Sequence, residues 1–413
     1  MPSATRTIET DVCVVGAGLI GLAHALEARR RGLDVVLLER GSRAAGASVR
    51  HSGHLFFSAL AAGAALDAAD LARERWMELT QRAGAPAEEG GTLIIARNPD
   101  ELAVLEAAAA EPGRGARIRS AKRTGRLAPI PLEGVLGAFH AKHDLRIGPR
   151  SAPAALARLL SEDPNARVEW GAQVHHVEPG VVHAGTLRVR AEAILVCPGA
   201  DRRTLPAELW PQQAGLTFRR TQMLRLSRPG ARRYRQVITT GLTLLEHPAF
   251  WAHKRMERLR ERLELEVPQL VEHGASVVVA QLAGGELVVG STAAYTQSPS
   301  SYSRERLDEL ILGQARALLG VSPSVRQRWS STQVSLPDSP DDFLATQPMP
   351  GVRVVQALRS TAAALCHAYA ATVLDELLSG APQTDMYIAV HDMRPDTGGG
   401  VRDHARAFGL RGA

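Results

Sequence analysis

Six residues near the amino terminus, Gly16-Ala17-Gly18-Leu19-Ile20-Gly21, constrain the fold of this chain more than any other segment. They come directly after a short apolar run, Asp11–Val15, that reads as a buried strand. Beyond them Leu22–Arg31 has Leu22, Ala25, Leu26 and Arg29 at helical spacing, and Gly32 ends it. A second buried strand, Asp34–Glu39, closes on an acid. Each glycine has a separate task. Gly16 permits the tight turn, Gly18 lets backbone approach a pyrophosphate, and Gly21 lets helix and strand pack closely. The helix N-terminus offers backbone N–H groups and the positive end of the helix dipole to a phosphate, with Leu19 and Ile20 of the turn as candidate cofactor contacts. Glu39 stands where a carboxylate accepts hydrogen bonds from ribose hydroxyls, and its charge disfavours a 2′-phosphate. The spacing therefore predicts a strand–turn–helix–strand unit that binds an adenine dinucleotide.

Composition narrows the class. The chain has 413 residues, enough for two domains, with 45% hydrophobic and 22% charged residues. Aromatics are only 4%, so Ala, Val and Leu must build the core. The net charge of +6 comes from signs that alternate along stretches such as Met256–Glu266, the pattern of solvated helix faces. No basic stripe interleaves with aromatics, so nucleic acid is not an expected partner. The three cysteines, Cys13, Cys197 and Cys366, lie far apart in apolar runs and read as buried thiols. Met1–Thr10 lacks an apolar signal core, and no apolar run reaches bilayer length; the Ala-rich stretch Leu60–Leu71, interrupted by Asp67 and Asp70, reads as globular helix. A cytoplasmic protein without a membrane partner is expected. The pair His175-His176 has no third ligand at metal spacing, so no metal site is expected. A homodimer is compatible with all of this.

The second strand leads into a loop of small residues, Arg40–Ser48, and then Val49-Arg50-His51-Ser52-Gly53. This order resembles the flavoprotein family of D-amino acid oxidase, glycine oxidase and sarcosine oxidase. Ala191–Asp201 resembles the strand and tight turn by which that family returns to its flavin, and Ala172–Val177 resembles its adenine-side strand. The segments Gly46–Gly53, Ala72–Leu79, Phe218–Leu224, Thr240–Phe250 and Gln281–Tyr295 are similar to a subgroup associated with aminophosphonate breakdown. The resemblance implies FAD as cofactor. It puts Arg40 near the adenine ribose, Ala47 and Ser48 near the phosphates, Val174 against adenine, and Gly199 close to the cofactor. Near the carboxyl end, Val352–Gln356 reads as a strand and Ala362–Leu378 as a helix. The turn between them, which includes Ser360 and Thr361, would face the flavin, although the family's glycines are missing from it.

The expected fold class is α/β: a Rossmann-like FAD-binding domain of the glutathione-reductase type, with a second antiparallel-sheet α+β substrate domain. The FAD-binding domain is expected from residues 1–89, 147–215 and 336–385. The substrate domain takes 90–146 and 216–335, and 386–413 forms a tail. A hairpin is expected around Ala283–Glu286.

Other departures cluster on the expected flavin face. Arg50-His51-Ser52-Gly53 replaces the subgroup's RNFG, and Gly290–Thr296 lacks its acid and histidine. The adenine end is intact. The resemblance therefore implies retained FAD with an altered substrate or reaction.

Four residues, with Arg219 as neighbour to one of them, are candidates for chemistry. His51 would bind substrate, accept a proton, carry a covalent flavin link, or simply hydrogen-bond its own loop. Arg50 is a candidate for a pocket or flavin contact. Arg219 and Arg220 lie where the chain crosses into the substrate sheet; a guanidinium there would clamp an anion or serve in an interdomain ion pair. Tyr295 would close the pocket, orient an amine, or only pack. His247 reads as structural.

The expected activity is oxidation of a small, anionic amine, an amino acid or an aminophosphonate. The carbon beside nitrogen gives a hydride to flavin, the imine hydrolyses to a carbonyl, and dioxygen accepts the electrons. Two alternatives stay open: oxidation or desaturation of a specialised metabolite, and a non-catalytic flavin-binding subunit of a complex.

Overall fold

A computed structural model describes residues 6–202, 205–337 and 339–379. The stretch 386–413, expected as a tail, lies outside the described residues.

Two large sheets organise the chain. The first is built on β1 (Arg6–Val15), which pairs in parallel with β2 (Val35–Glu39) on one side and Leu187–Val196 on the other. Ala166–Trp170 extends it beyond β2, and Val352–Ala357 beyond Leu187–Val196, both in parallel. Phe343–Met349 closes the far edge in antiparallel sense. Where both faces are covered the strands are continuously apolar, as at residues 12–14, 35–38 and 193–196, whereas the edge strand Ala166–Trp170 carries Arg167 and Glu169. Val12, Val14 and Leu37 face one layer of helices, and Cys13, Val36 and Leu38 face the other side. In the helical layer α1 (Leu19–Arg30) packs against Ser151–Ser161 and Ala362–Ser379, and Ala69–Arg82 packs against the same two helices. The opposite face is covered by a small antiparallel meander, Val174–Glu178 with Val181–Ala184.

The second sheet runs Ala294–Thr296, Thr217–Leu226, Leu287–Gly290, Val278–Gln281, Val237–Thr240, Thr92–Ala96, Gly137–Ala141, Ala116–Ser120, with Val325–Ser335 also paired to Thr217–Leu226. The hairpin around Ala283–Glu286 joins Val278–Gln281 to Leu287–Gly290. The sheet is antiparallel with one correction. Val237–Thr240 pairs in parallel with Thr92–Ala96, because the segment between them reaches the sheet by a long excursion and not by a hairpin. The helix expected across Leu60–Leu71 is also corrected. Gly63 breaks it at φ +92°, leaving Ala64–Asp67 and the longer Ala69–Arg82.

Among the described residues, no helix is long and apolar enough to cross a membrane. All three cysteines are buried and free, and burial pushes their thiols up, Cys197 to about 12.

Candidate active site

The carboxyl ends of the parallel strands open onto a cleft of about 680 Å³. Open α/β sheets bind their ligands at this end. The turn after β1 forms the floor of the cleft. Gly16 sits at φ +103°, and a Cβ there would meet the Cys197 carbonyl oxygen at 2.4 Å. Its N–H donates to the Leu38 carbonyl at 2.8 Å, tying the turn to β2. A Cβ on Gly21 would lie 1.9 Å from the Gly16 carbonyl oxygen. Gly21 therefore sets how closely α1 approaches the turn, and it does not line the cleft.

Glu39 braces the same turn. One carboxylate oxygen accepts the Ala17 N–H at 2.9 Å and the other the Gly41 N–H at 2.9 Å. Each oxygen keeps acceptor capacity for a ribose hydroxyl. Ser48, from the small-residue loop, accepts the Leu19 N–H at 2.9 Å and so caps α1 from outside the helix. A Cβ on Gly18 would lie 3.1 Å from the Ser48 hydroxyl, so the loop packs directly over the glycine turn. Ile20, Ala47, Val174 and Gly199 line the cleft, with Gly199 at φ +60°. Arg40 also lines it and pairs with Asp201.

A second cavity of about 170 Å³ adjoins the first. Ile20, Ala47, Ser48, Arg50, Gln333 and Ala357 line both, so the two form one channel from the sheet end toward the second sheet. The deeper part carries charge. Arg219 Nη2 donates to Glu246 Oε2 at 3.2 Å, and Arg359 lies 4.6 Å over the Trp251 ring while donating to the Glu246 carbonyl oxygen at 3.3 Å. Burial works against the Arg219 charge, but Glu246 and Tyr295 outweigh it and its pKa is raised. Burial lowers the Arg359 pKa, with Asp342 opposing. Burial raises the Glu246 pKa, opposed by Arg219 and Arg359.

His51 and His247 also line this cavity, and burial lowers their pKa values to about 4 and about 3. Both are neutral at pH 7. His51 Nδ1 lies 3.0 Å from the Gly53 N–H, and the Ser48 backbone also hydrogen-bonds the ring. His51 Nε2 is buried and has no hydrogen-bond partner.

The placement of the expected residues is mixed. His51, Arg50 and Ser360 line the second cavity, and Leu19 does so through its side of the helix start. Thr361 lines neither cleft; it is buried and donates its hydroxyl to Asp342. Arg220 is a correction: it points to the other side of its strand, toward Ser303 at 3.3 Å, and Arg219 faces the cavity instead. Tyr295 lines neither cleft but interacts with Arg219 from the neighbouring strand. The expected lack of an acid and a histidine on the substrate side is also corrected. Glu246 and His247 supply both, from the Thr240–Phe250 segment and not from Gly290–Thr296. His247, read as structural, stacks edge-on to Phe56 at 5.0 Å and lines the cavity as well. Among the described residues, no three His, Cys, Asp or Glu side chains group as metal ligands.

A glycine turn that no side chain could occupy, an acid braced at the tip of β2, and a contiguous charged cavity define an FAD-binding oxidoreductase fold. The family described as "DAO: FAD dependent oxidoreductase" matches residues 11–376, and the chain belongs to that family. It is an FAD-dependent enzyme. Glycine oxidase from Geobacillus kaustophilus superposes with a TM-score of 0.70 at 17% identity, covering 92% of this chain and 96% of that one. L-Proline dehydrogenase from P. horikoshii superposes with a TM-score of 0.74 at 12% identity, covering 91% and 95%. Gamma-glutamylputrescine oxidoreductase of Escherichia coli is 36% identical over 92 residues, which is 22% of this chain and 20% of that protein's length.

Proposed function

We propose that this enzyme oxidises a small amine that also carries an anionic group, an amino acid or an aminophosphonate, with dioxygen as the electron acceptor. One observation carries the reading: Arg219, Arg359 and Glu246 come together in the deeper part of the 170 Å³ cavity that adjoins the dinucleotide cleft. That volume holds roughly six water-sized groups at about 30 Å³ each. Two guanidinium groups against one carboxylate leave the wall net positive, which suits a carboxylate or phosphonate. Apolar Phe56, Met223 and Val278 also line the cavity, beside polar Thr221, Ser331 and Gln333.

Bound FAD supplies the acceptor for the hydride leaving the carbon beside nitrogen. The chain's own residues bind and orient. Gly16 and Gly18 leave room for the pyrophosphate. Ser48 holds the helix start in place. Glu39 offers acceptors to the adenosine ribose. Arg219 holds the substrate anion, and Tyr295 steadies Arg219. The small-molecule reading is supported by the activities for which the similar proteins are named, an amino-acid oxidase, an amino-acid dehydrogenase and an amine oxidoreductase.

The test is anaerobic addition of amines to the FAD-loaded protein. Glycine, N-methylglycine, proline and 2-aminoethylphosphonate form the panel. Bleaching of the flavin band with at least one, then release of a carbonyl product, is expected. Flavin that stays oxidised with every anionic amine refutes the reading.

A further inference from the structure

We propose that Glu246 receives the ammonium group of the substrate and takes its proton. The inference rests on the amine-oxidation reading above. Glu246 lines the 170 Å³ cavity, and its two oxygens are used unequally. Oε2 accepts from Arg219 at 3.2 Å, whereas Oε1 is buried without a partner. An orphaned carboxylate oxygen is a costly thing to bury. A cationic donor entering the cavity satisfies it.

The same cavity holds a second unpartnered buried atom, His51 Nε2. A cavity with an unmet carboxylate oxygen and a guanidinium matches a molecule bearing both an ammonium and an anion. A simple carboxylic acid would leave Oε1 unsatisfied and would face the Glu246 charge.

The chemistry explains why a proton acceptor is useful here. An aliphatic amine has a pKa of roughly 10, so it arrives protonated at pH 7. Its lone pair is needed to expel the hydride. One N–H bond breaks, its electron pair stays on nitrogen, and an O–H bond forms at Oε1. The carboxyl is suited to this because burial raises its pKa, while Arg219 and Arg359 oppose that shift. The other titratable groups around it are Tyr295 on the neighbouring strand, His247 beside it in sequence, and His51, His54 and Arg50 in the shared cavity lining. The histidines are held neutral by burial and do not compete for the proton.

The experiment compares Glu246→Gln with the parent holoenzyme. Binding of acetate and of each active amine is read from perturbation of the flavin absorbance, and reduction is monitored anaerobically from pH 6 to 10. Glu246→Gln should weaken amine binding at least tenfold and leave acetate binding equal or tighter. Its reduction rate should fall at least tenfold at pH 7 and recover toward pH 10, where the amine enters neutral. Equal losses for acetate and amine, or a rate deficit that pH does not relieve, overturn the assignment and leave the amine reading standing. If the parent reduces with no amine, the reading itself fails and the assignment falls with it. Should Glu246→Gln not retain FAD, Glu246→Asp keeps the charge at shorter reach. That variant must then favour amine over acetate as the parent does, and a loss of that preference overturns the assignment.

Discussion

Replacing Gly16 by alanine tests whether the glycine turn is a cradle or merely a bend. The native φ of +103° lies where L side chains rarely sit, at a cost of about 1–3 kcal/mol. The added Cβ would also lie 2.4 Å from the Cys197 carbonyl oxygen, a backbone atom that cannot swing aside. Overpacking of this kind adds about 1–3 kcal/mol. Gly32→Ala is the control. Gly32 has φ +83°, nothing lies within 4 Å of its Cβ position, and it ends α1 away from the cleft. That variant bears the conformational cost alone. The two should therefore differ by about 1–3 kcal/mol, or roughly 2–12 °C at roughly 2–4 °C per kcal/mol. Thermal melts of the FAD-free proteins measure this without ligand linkage. FAD titrations add the second readout: Gly16→Ala should lose most of its affinity, because Cys197 and Gly16 both border the cleft, and Gly32→Ala should keep it. Matching melts and unchanged FAD affinity in Gly16→Ala would refute the steric argument.

Ser48→Ala removes the acceptor for the Leu19 N–H, and should lower stability by about 1 kcal/mol and weaken FAD binding, both measurable on the same titrations. Arg219→Met should raise the KM for an anionic amine at least tenfold, whereas Arg220→Met should leave it unchanged; equal effects would mean that the strand presents its other face. Acid should destabilise the fold. Burial lowers His24, His51 and His140 to about 4 and His54, His247 and His367 to about 3, so below the ordinary value near 6.5 the unfolded chain binds protons that the folded chain refuses. Asp144 and Asp342, raised to about 6, and Glu101, Glu246, Asp308 and Glu376, also raised by burial, act in the opposite direction; the six histidines are displaced further from their ordinary value than Asp144 and Asp342 are from theirs, so melts from pH 7 to 4 should show falling stability.

The amino-terminal unit was legible because its requirements are local. A glycine with positive φ, a helix start and an acid at a strand tip are each set by neighbours in sequence. Even the error there is small: α1 begins at Leu19 and not Leu22, because the last three residues of the motif, Leu19-Ile20-Gly21, already belong to the helix while Gly18 before them is extended. The second sheet was less legible. The pairing of Thr92–Ala96 with Val237–Thr240 joins residues far apart in the chain, and nothing in either segment's composition encodes a parallel partner. The break at Gly63 was missed because the alanine-rich stretch after it favours helix on both sides.

The cavity residues were hidden for a more particular reason. Strand Thr217–Leu226 is buried on both faces over most of its length, so the usual alternation of apolar and polar residues cannot say which side chain looks where. Two arginines in succession compound this. The structure resolves it through neighbours: Gln222 is held by Arg304 and Asp308 and Arg220 by Ser303, which assigns the even positions to the Glu305–Leu319 helix side. The odd positions, Arg219, Thr221 and Met223, are then left to line the cavity. Glu246 completes the group from a different element altogether, a one-turn 3-10 segment whose end brings it to Arg219. Its importance lies in an unpaired oxygen, a property of three-dimensional packing that no spacing rule expresses. The chemistry of this site is thus set by which polar atoms the fold leaves unsatisfied, and a ligand that meets both Oε1 of Glu246 and Nε2 of His51 should be preferred over any that meets one alone.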